Sequence, residues 1–233
     1  MRVMLKKNKF LSIGIKFTLD NSIRKYIKYR RNKIFLENGR MLLSQIKLIF
    51  DELNIQYWLE YGTLLGAIRD KKFIQHDYDI DIGLFLTDYN EEIEKVFKRY
   101  GFIKTKQYSI DNKLYGLEES YRYKGIDIDL FYFTLCGNKM RSHVFKNEEG
   151  KSWNKTIIDN GGLIVNEMTF PYTGFKKINF LDTEYFVPKD ADGHLKSFYG
   201  NNYMIKDKSW NPHTMAKNIK TLEDKIGVFK NYE

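Results

Sequence analysis

Apolar residues recur at helical spacing in the first quarter of the chain and alternate with polar residues further on. Residues 76–86 alternate strictly, which is typical of a strand with one buried face. Helices are predicted over 41–53 and 90–100, and strands 114–123 and 126–133 form a predicted hairpin that turns at Lys124-Gly125. The apolar face of the first helix comprises Leu42, Leu43, Ile46, Ile49, Phe50 and Leu53.

Shorter patterns complete the predicted elements. Residues 55–60 form a predicted strand, 61–63 a turn and 64–69 a short helix. The run Asp159-Asn160-Gly161-Gly162 lies between two aliphatic segments and predicts a tight turn between strands. Residues 191–199, which follow Pro188, are predicted to be helical. Together the elements predict an α+β fold, with a mixed sheet flanked by helices.

Charge divides the 233-residue chain into two regions. Residues 1–40 carry twelve basic and two acidic side chains, a net charge of +10, whereas residues 41–233 sum to −1. We therefore expect a basic helical N-terminal arm over residues 1–35 and one domain over 36–233. The arm is expected either to be solvated or to contact an anionic membrane surface. A near-neutral domain makes nucleic acid an unexpected partner.

Cysteine content and hydropathy suggest where the protein works. The single cysteine, Cys136, excludes a disulfide within the chain and any zinc site built on cysteines. No apolar run approaches the ~18–20 residues that a membrane helix needs, and the short apolar run at 10–15 does not resemble a signal peptide. These features predict a cytoplasmic protein, peripheral on the inner membrane face if the arm binds lipid.

The strongest chemical signal is the alternating motif Asp77-Tyr78-Asp79-Ile80-Asp81. Side chains two residues apart on a strand share a face, so the three carboxylates are expected to line up. Neighbouring carboxylates repel one another unless a cation lies between them, and oxygen-only ligands favour Mg²⁺, with Mn²⁺ as the alternative. The motif therefore predicts a divalent-cation site.

Asp127 and Asp129 repeat this motif on the second strand of the predicted hairpin. If the two strands are neighbours, this pair supplies a third carboxylate and completes a clamp for two metal ions. The alternative is that each motif is a set of exposed acids at a strand end. Two such motifs, each flanked by core aliphatic residues, favour the metal site.

A glycine turn precedes the first acid motif. Gly62 allows the backbone to approach a phosphate closely, and Thr63 at a helix start is expected to donate its hydroxyl to a phosphate oxygen. Arg69, on the same short helix, is expected either to clamp a phosphate or to form a surface ion pair. Alone, a Gly-Thr turn is most often a helix cap, but its position before the acids matches a nucleotidyltransferase arrangement.

Residues 57–84, with the sequence YWLEYGTLLGAIRDKKFIQHDYDIDIGL, resemble the signature of the LicD/fukutin-related phosphotransferase family. GIDIDLF at 125–131 and SFYGNNY at 197–203 are similar to its second acid strand and its C-terminal Tyr-Gly segment. The resemblance covers about residues 41–212. It implies a nucleotidyltransferase-type fold and transfer of a phospho-alcohol (phosphocholine, ribitol phosphate or glycerol phosphate) from a CDP-activated donor. The acceptor would be a hydroxyl of a cell-surface or lipid-linked glycan.

The resemblance also implies roles for individual residues. By matching motifs, the principal metal ligands would be Asp79 and Asp81, the third acid Asp129, and the residues near the donor phosphates Gly62, Thr63 and Arg69. Asp127 or Asp129 would accept the proton of the attacking hydroxyl, with Asp127 preferred as the base and Asp129 as the ligand.

One departure from the family concerns the residues before the first acid. Gln75-His76 replaces a usual Pro-Trp, so His76 is expected either to reach the substrate or to cap the strand edge. With one cysteine and no anchor, the chain is similar to the soluble bacterial-type members. Aromatic residues in the tail are expected either to stack on a base or cationic alcohol or to pack in the core: Tyr185, Phe186, Phe198, Tyr199, Tyr203 and Trp210.

Two other classes of function stay open at this point. The first is a metal-dependent nucleotidyltransferase that acts on nucleic acid or another small acceptor, with the basic arm holding RNA. The second is a non-catalytic module whose acids hold a structural metal.

Overall fold

In a computed structural model, the described residues are 2–207, 210–211 and 215–232, with side chains described from Ile23 onward except Arg24. The fold is α+β, as predicted. The described residues form the α-helices α1 (Arg2–Leu53), α2 (Tyr61–Leu65), α3 (Glu92–Arg99), α4 (Trp153–Asn160) and α5 (Ala191–Tyr199). The strands are β1 (Tyr57–Leu59), β2 (Asp79–Phe85), β3 (Ile103–Ile110), β4 (Gly116–Tyr123), β5 (Ile126–Cys136), β6 (Lys139–Lys146), β7 (Leu163–Pro171), β8 (Phe175–Phe180), β9 (Thr183–Pro188) and β10 (Ile219–Asn231).

Helix α1 runs without interruption from the basic N-terminal region into the domain. The predicted apolar face is confirmed, because its residues from Leu42 to Phe50 are fully buried and Leu53 packs at the edge of the core. The helix ends where Asn54 adopts a left-handed backbone (φ 52°), a common C-terminal cap. The expected division between arm and domain at residue 35 lies within this helix and stays a prediction.

Eight strands form one mixed sheet in the order β1-β2-β5-β4-β3-β10-β7-β6. Strands β2 and β5 pair in parallel, and the other pairings are antiparallel. The end of β5 also pairs with β6, so the six strands from β5 to β6 close into a ring. The hairpin β8–β9 stands apart from this sheet. One main core fills the space between the sheet, α1 and α3.

Several predicted elements differ from the structure. The run around Gly161 is the end of helix α4, with Gly161 as its left-handed cap (φ 74°), so the predicted turn between strands is wrong. Helix α2 begins at Tyr61, inside the predicted turn. Strands β3, β6 and β10 were not predicted, because charged residues interrupt their alternation. The hairpin β4–β5, helix α3 and helix α5 are confirmed.

Among the described helices, including the 52 residues of α1, none is both long and apolar enough to cross a membrane.

Candidate active site

The two acid motifs lie side by side at the start of strands β2 and β5. In the parallel register Asp79 is opposite Asp127 and Asp81 is opposite Asp129. The alternating positions Ile80, Ile82, Ile128 and Leu130 are fully buried on the other face of the sheet. The expected neighbourhood of the two motifs is therefore confirmed, and we call this surface, comprising Asp77, Asp79, Asp81, Asp127 and Asp129, the acid face.

Asp77 reaches the acid face from outside the strand. Strand β2 begins at Asp79, so the expectation of three acids on one strand is wrong in this detail. The Asp77 carboxyl nevertheless shares a hydrogen bond with that of Asp79, and its own oxygen also accepts from the Tyr78 N–H at 3.1 Å.

The glycine turn holds Asp81 in place. The Gly62 N–H donates to Asp81 Oδ2 at 2.8 Å, and Thr63 Oγ1 accepts from the Asp81 N–H at 2.9 Å. A Cβ at position 62 would lie 2.8 Å from Asp77 Oδ2, so only glycine fits against the acids. Thr63 is buried and faces Asp81. Its observed contact therefore positions an acid, whereas the sequence predicted a contact with phosphate.

Negative charge at Asp79, Asp81 and Asp129 is poorly compensated. Burial, followed by the charge of Asp77, raises the pKa of Asp79 to about 8, and burial followed by the charge of Asp79 raises the pKa of Asp129 to about 7. Burial and the neighbouring carboxylates raise the pKa of Asp81 well above its ordinary value. Raised carboxyl pKa values of this kind are expected where buried carboxylates lie close together with little positive charge nearby.

Helix α1 reaches the acid face with two side chains that sequence analysis missed. Arg31 Nη2 lies 2.6 Å from Asp127 Oδ2 and its guanidinium stacks on the Tyr78 ring, 4.5 Å from the centroid. The Asn32 side chain donates to the backbone carbonyls of Gln75 and Asp77 at 2.8 and 2.7 Å. These contacts fasten the helix to the loop that carries Asp77.

The helical periodicity of α1 indicates which way Arg31 points. Arg31 lies four positions before buried Phe35, on the backward extension of the apolar face of α1. Arg122 Nε lies 2.6 Å from Asp127 Oδ1, and its position opposite Asp127 follows from the hairpin register. Asp127 therefore has an arginine on each carboxylate oxygen.

Arg69 and His76 both line the cleft above the acid face. Arg69 binds both carboxylate oxygens of Asp70, at 3.0 and 3.1 Å, and contacts the Tyr203 carbonyl at 3.4 Å. Only 8% of its side chain is exposed. The ion pair that was expected at the surface is therefore a buried one. His76 lines the cleft, a position that contact with the substrate, one of its two expected roles, would require.

The cleft has a volume of about 960 Å³, which suits a ligand the size of a nucleotide conjugate. Its floor includes Gly62, Asp77, Asp79 and Asp81, while Asp127, Asp129 and Thr63 are not among its lining residues. Four of the predicted tail aromatics form a wall, namely Phe198, Tyr199, Tyr203 and Trp210. Cationic side chains at the cleft are Lys28, Arg69, Lys206 and Lys217. Tyr185 and Phe186 lie elsewhere.

The donor atoms of the acid face suit Mg²⁺ or Mn²⁺, because they are carboxylate oxygens, which hard divalent cations prefer as ligands. Within the described residues, no three His, Cys, Asp or Glu side chains converge as a ready metal group. Mg²⁺ is commonly held by one or two carboxylates together with substrate phosphates, so a complete protein cage is not required. The donor set therefore fits a cation whose shell is completed by a phosphorylated ligand.

Comparison with known proteins relates this geometry to a family. Residues 54–190 match the nucleotidyltransferase domain described as LicD/FKTN/FKRP. The chain is 23% identical to mouse "Ribitol-5-phosphate transferase FKTN" over 188 residues, which are 80% of the chain and 37% of that protein. It is 29% identical to an uncharacterized protein of Rickettsia typhi over 163 residues, 68% of the chain and 44% of the relative.

A shorter match has higher identity. The chain is 45% identical to human "Ribitol 5-phosphate transferase FKRP" over 40 residues, which are 17% of the chain and 8% of that protein. The chain thus spans less than half of the length of these curated relatives. The domain match covers more than half of the chain and contains both acid motifs and the glycine turn. The chain belongs to the LicD/FKTN/FKRP nucleotidyltransferase-domain family.

Proposed function

We propose that this protein is a Mg²⁺-dependent phosphotransferase that moves a phospho-alcohol from a CDP-activated donor to a glycan hydroxyl. The observation that carries the proposal is the parallel register of the two acid motifs beside Gly62, under a cleft of nucleotide size. Family membership and relatives whose names specify ribitol 5-phosphate transfer support the same class of reaction.

The proposed reaction is an exchange at one phosphorus atom. The acceptor oxygen forms a bond to the phosphorus that carries the alcohol, and the bond from this phosphorus to the CMP oxygen breaks. The hydroxyl proton passes to a carboxylate of the acid face. Because Asp127 has an arginine on each oxygen, we assign this proton to Asp129, the other candidate. Asp127 then serves to anchor Arg31 and Arg122.

Asp79 and Asp81 are the proposed principal Mg²⁺ ligands. Asp129, which sequence analysis preferred as a third ligand, is here assigned the proton of the attacking hydroxyl instead. The bound ion would offset negative charge on the phosphates as the bond to CMP breaks. The chain orients Asp81 through the Gly62 and Thr63 contacts. The aromatic wall, especially Tyr199 and Trp210 with ring centroids 4.5 Å apart, offers flat surfaces for cytosine or for a cationic alcohol. His76 and Arg69 are placed to contact the donor from the same cleft.

Incubation of the protein with Mg²⁺ and CDP-ribitol, CDP-choline, CDP-glycerol or CDP-ethanolamine tests this proposal. We expect CMP release from at least one donor, with slow hydrolysis counting as release because the acceptor is unknown. The matched control is Asp79→Asn, which should release none. Silence with every CDP-alcohol, together with turnover of UTP, ATP or an RNA end, would contradict the donor class.

We further propose that helix α1 contacts an anionic membrane surface, where lipid-linked glycans are assembled. Ile23, Tyr26, Ile27 and Tyr29 are each more than half exposed, and the chain from 21 to 36 contains six cations and no acid. Side chains before residue 23 lie outside the described part, so for them this remains a prediction from charge.

Vesicle sedimentation tests the membrane contact. Removing residues 1–35 would also remove Arg31 and Asn32, which contact the acid face, so point variants are the better probe. We expect Lys25→Glu with Arg30→Glu to reduce binding to phosphatidylglycerol vesicles at least about tenfold. The charge-matched control, Lys139→Glu with Lys230→Glu, should bind as the wild type does. Equal loss in both variants would contradict a specific role for α1.

A further inference from the structure

A fully buried glutamate lies directly behind the glycine turn. Glu60 has no exposed surface, although its side chain bears an ionisable group. Its Oε2 accepts from the Trp58 indole N–H at 2.7 Å, and its Oε1 accepts from the Tyr61 N–H at 3.1 Å. Oε1 also lies 2.7 Å from His194 Nε2, a contact in which an ionised carboxylate can only accept. Burial of such a group without these partners would be costly.

The backbone at this turn is strained and needs support. Tyr61 has a φ of 39°, a left-handed conformation that residues with side chains seldom adopt. Such conformations persist only when surrounding contacts hold them. Glu60 caps the Tyr61 N–H with its side chain, donates its own N–H to the Asp81 carbonyl at 3.1 Å and accepts the Leu64 N–H at 2.9 Å. The next two residues, Gly62 and Thr63, then fix Asp81.

The imidazole partner comes from helix α5. His194 lies on α5, is 1% exposed and stacks on Phe170 with ring centroids 4.3 Å apart. One helical turn later, Phe198 lines the cleft and packs against the Tyr61 ring at 4.9 Å. Tyr199 follows it in the aromatic wall, and both burial and the charge of Asp81 raise the pKa of the Tyr199 hydroxyl. Two successive turns of helix α5 thereby contact the start of α2, through Glu60 and through Tyr61.

We propose that Glu60 and His194 form a positioning pair that couples the glycine turn to the aromatic wall. Neither residue lines the cleft, so the pair acts through Gly62, Thr63 and Asp81 on one side and through Tyr199 on the other. The consequence for catalysis rests on the proposed function, whereas the mechanical coupling does not. Breaking the pair on α5 should loosen the turn that holds Asp81, although no residue of that turn is changed.

The test is amide hydrogen exchange of Glu60→Gln and His194→Gln, followed residue by residue by NMR. We expect His194→Gln to speed exchange of the Gly62 and Asp81 amides at least about tenfold, after correction for global stability measured by urea unfolding. Glu60→Gln leaves the buried donors around residue 60 with a poorer acceptor, so it should speed exchange at the same two amides more strongly. If Glu60→Gln fails to fold, the test relies on His194→Gln alone.

Glu119→Gln provides the matched control, because Glu119 is also a buried glutamate with three donors but lies away from the cleft. It should leave the corrected exchange at Gly62 and Asp81 unchanged. With an active donor, His194→Gln should also raise the KM at least about fivefold, and Glu119→Gln should not. Unchanged exchange at both amides in His194→Gln would overturn the coupling. Absence of CMP release by the wild type would contradict only the proposed function.

Discussion

Two clusters of buried charge lie on opposite faces of strand β4, and they differ in whether the chain itself compensates them. Ser120 faces Asp129 on the acid face, while the adjacent Glu119 points to the other side. Glu119 accepts from Lys104 at 2.6 Å and from the hydroxyls of Tyr132 and Tyr121 at 2.9 and 3.4 Å. Every charge in this second cluster has partners within the protein.

On the acid face Asp79 and Asp81 lack such a balance, although Asp127 is paired with Arg31 and Arg122. Burial alone would lower the pKa of Lys104, yet Glu119 and Glu94 raise it. By contrast, burial and then the neighbouring carboxylates raise the pKa values of Asp79 and Asp81. A cluster that serves only the fold is expected to be neutralised internally, as around Lys104. An uncompensated cluster at the floor of a cleft indicates a surface that is completed by a ligand.

The largest expected effect comes from removing a carboxylate of the acid face. Asp81→Asn or Asp79→Asn should lower turnover of the CDP-alcohol at least about 10³-fold, because charge stabilisation at the phosphorus is lost. In chelator, neither variant should have a lower free energy of unfolding than the wild type, since each removes a repelling charge. CMP release and urea unfolding measure the two quantities. Normal turnover in either variant would contradict the assignment of Asp79 and Asp81 as metal ligands.

Disrupting the compensated cluster should have the opposite profile. Glu119→Gln leaves Lys104 buried with a weakened partner, so the free energy of unfolding should fall by about 3 kcal/mol. Turnover per folded molecule should stay within about twofold of the wild type, because Glu119 faces away from the cleft. Urea unfolding and CMP release at a temperature where both proteins are folded check this. Loss of turnover with an unchanged free energy of unfolding would mean that Glu119 serves catalysis rather than stability, contrary to this account.

Gly62→Ala probes how closely the turn packs on the acids. The added Cβ would lie 2.8 Å from Asp77 Oδ2 and 3.0 Å from Asp81 Oδ2, so the carboxylates must shift. Small displacements of this kind cost up to about 10²-fold in turnover. Gly137→Ala is the control, because its Cβ would meet no atom within 4 Å although its φ is 62°. It should lose about 1 kcal/mol of stability and keep its activity. Equal turnover in the two variants would argue against close packing.

The smallest effect is expected for the contact between helix α1 and the acid face. Arg31 and Asp127 have side chains that are 37% and 17% exposed, so their coupling should be about 1 kcal/mol or less. A double-mutant cycle with Arg31→Gln and Asp127→Asn, measured by urea unfolding, gives this value. A coupling as large as that of the Lys104 cluster would mean that α1 is an integral part of the site.

The acid face could be predicted because its two requirements are local. Alternation along each strand places the acids on one face, and the aliphatic residues between them force the other face into the core. The closeness of the two strands followed from the motif pair and is confirmed by the register of β2 and β5. Asp77 was misplaced because the predicted strand began at residue 76, three residues before β2 begins at Asp79.

The rest depended on tertiary contacts. Strand β10 lies between β3 and β7, yet its sequence IKTLEDKIGVFKN contains five charged residues and alternates poorly. Its place is determined by the neighbours that it pairs with. Glu60 and His194 are 134 residues apart, and no local pattern joins them. Arg31 was hidden among other cations, although the helical periodicity of α1 placed it toward the body.

The central claim is that the acid face holds a divalent cation together with a phosphorylated donor. Titration calorimetry of Mg²⁺ into the protein, with and without the CDP-alcohol that is turned over, tests this most directly. We predict Mg²⁺ binding that tightens when the donor is present, is lost in Asp79→Asn and is unchanged in Glu119→Gln. Binding of equal strength in Asp79→Asn, or no Mg²⁺ binding by the wild type even with the donor, would contradict the claim.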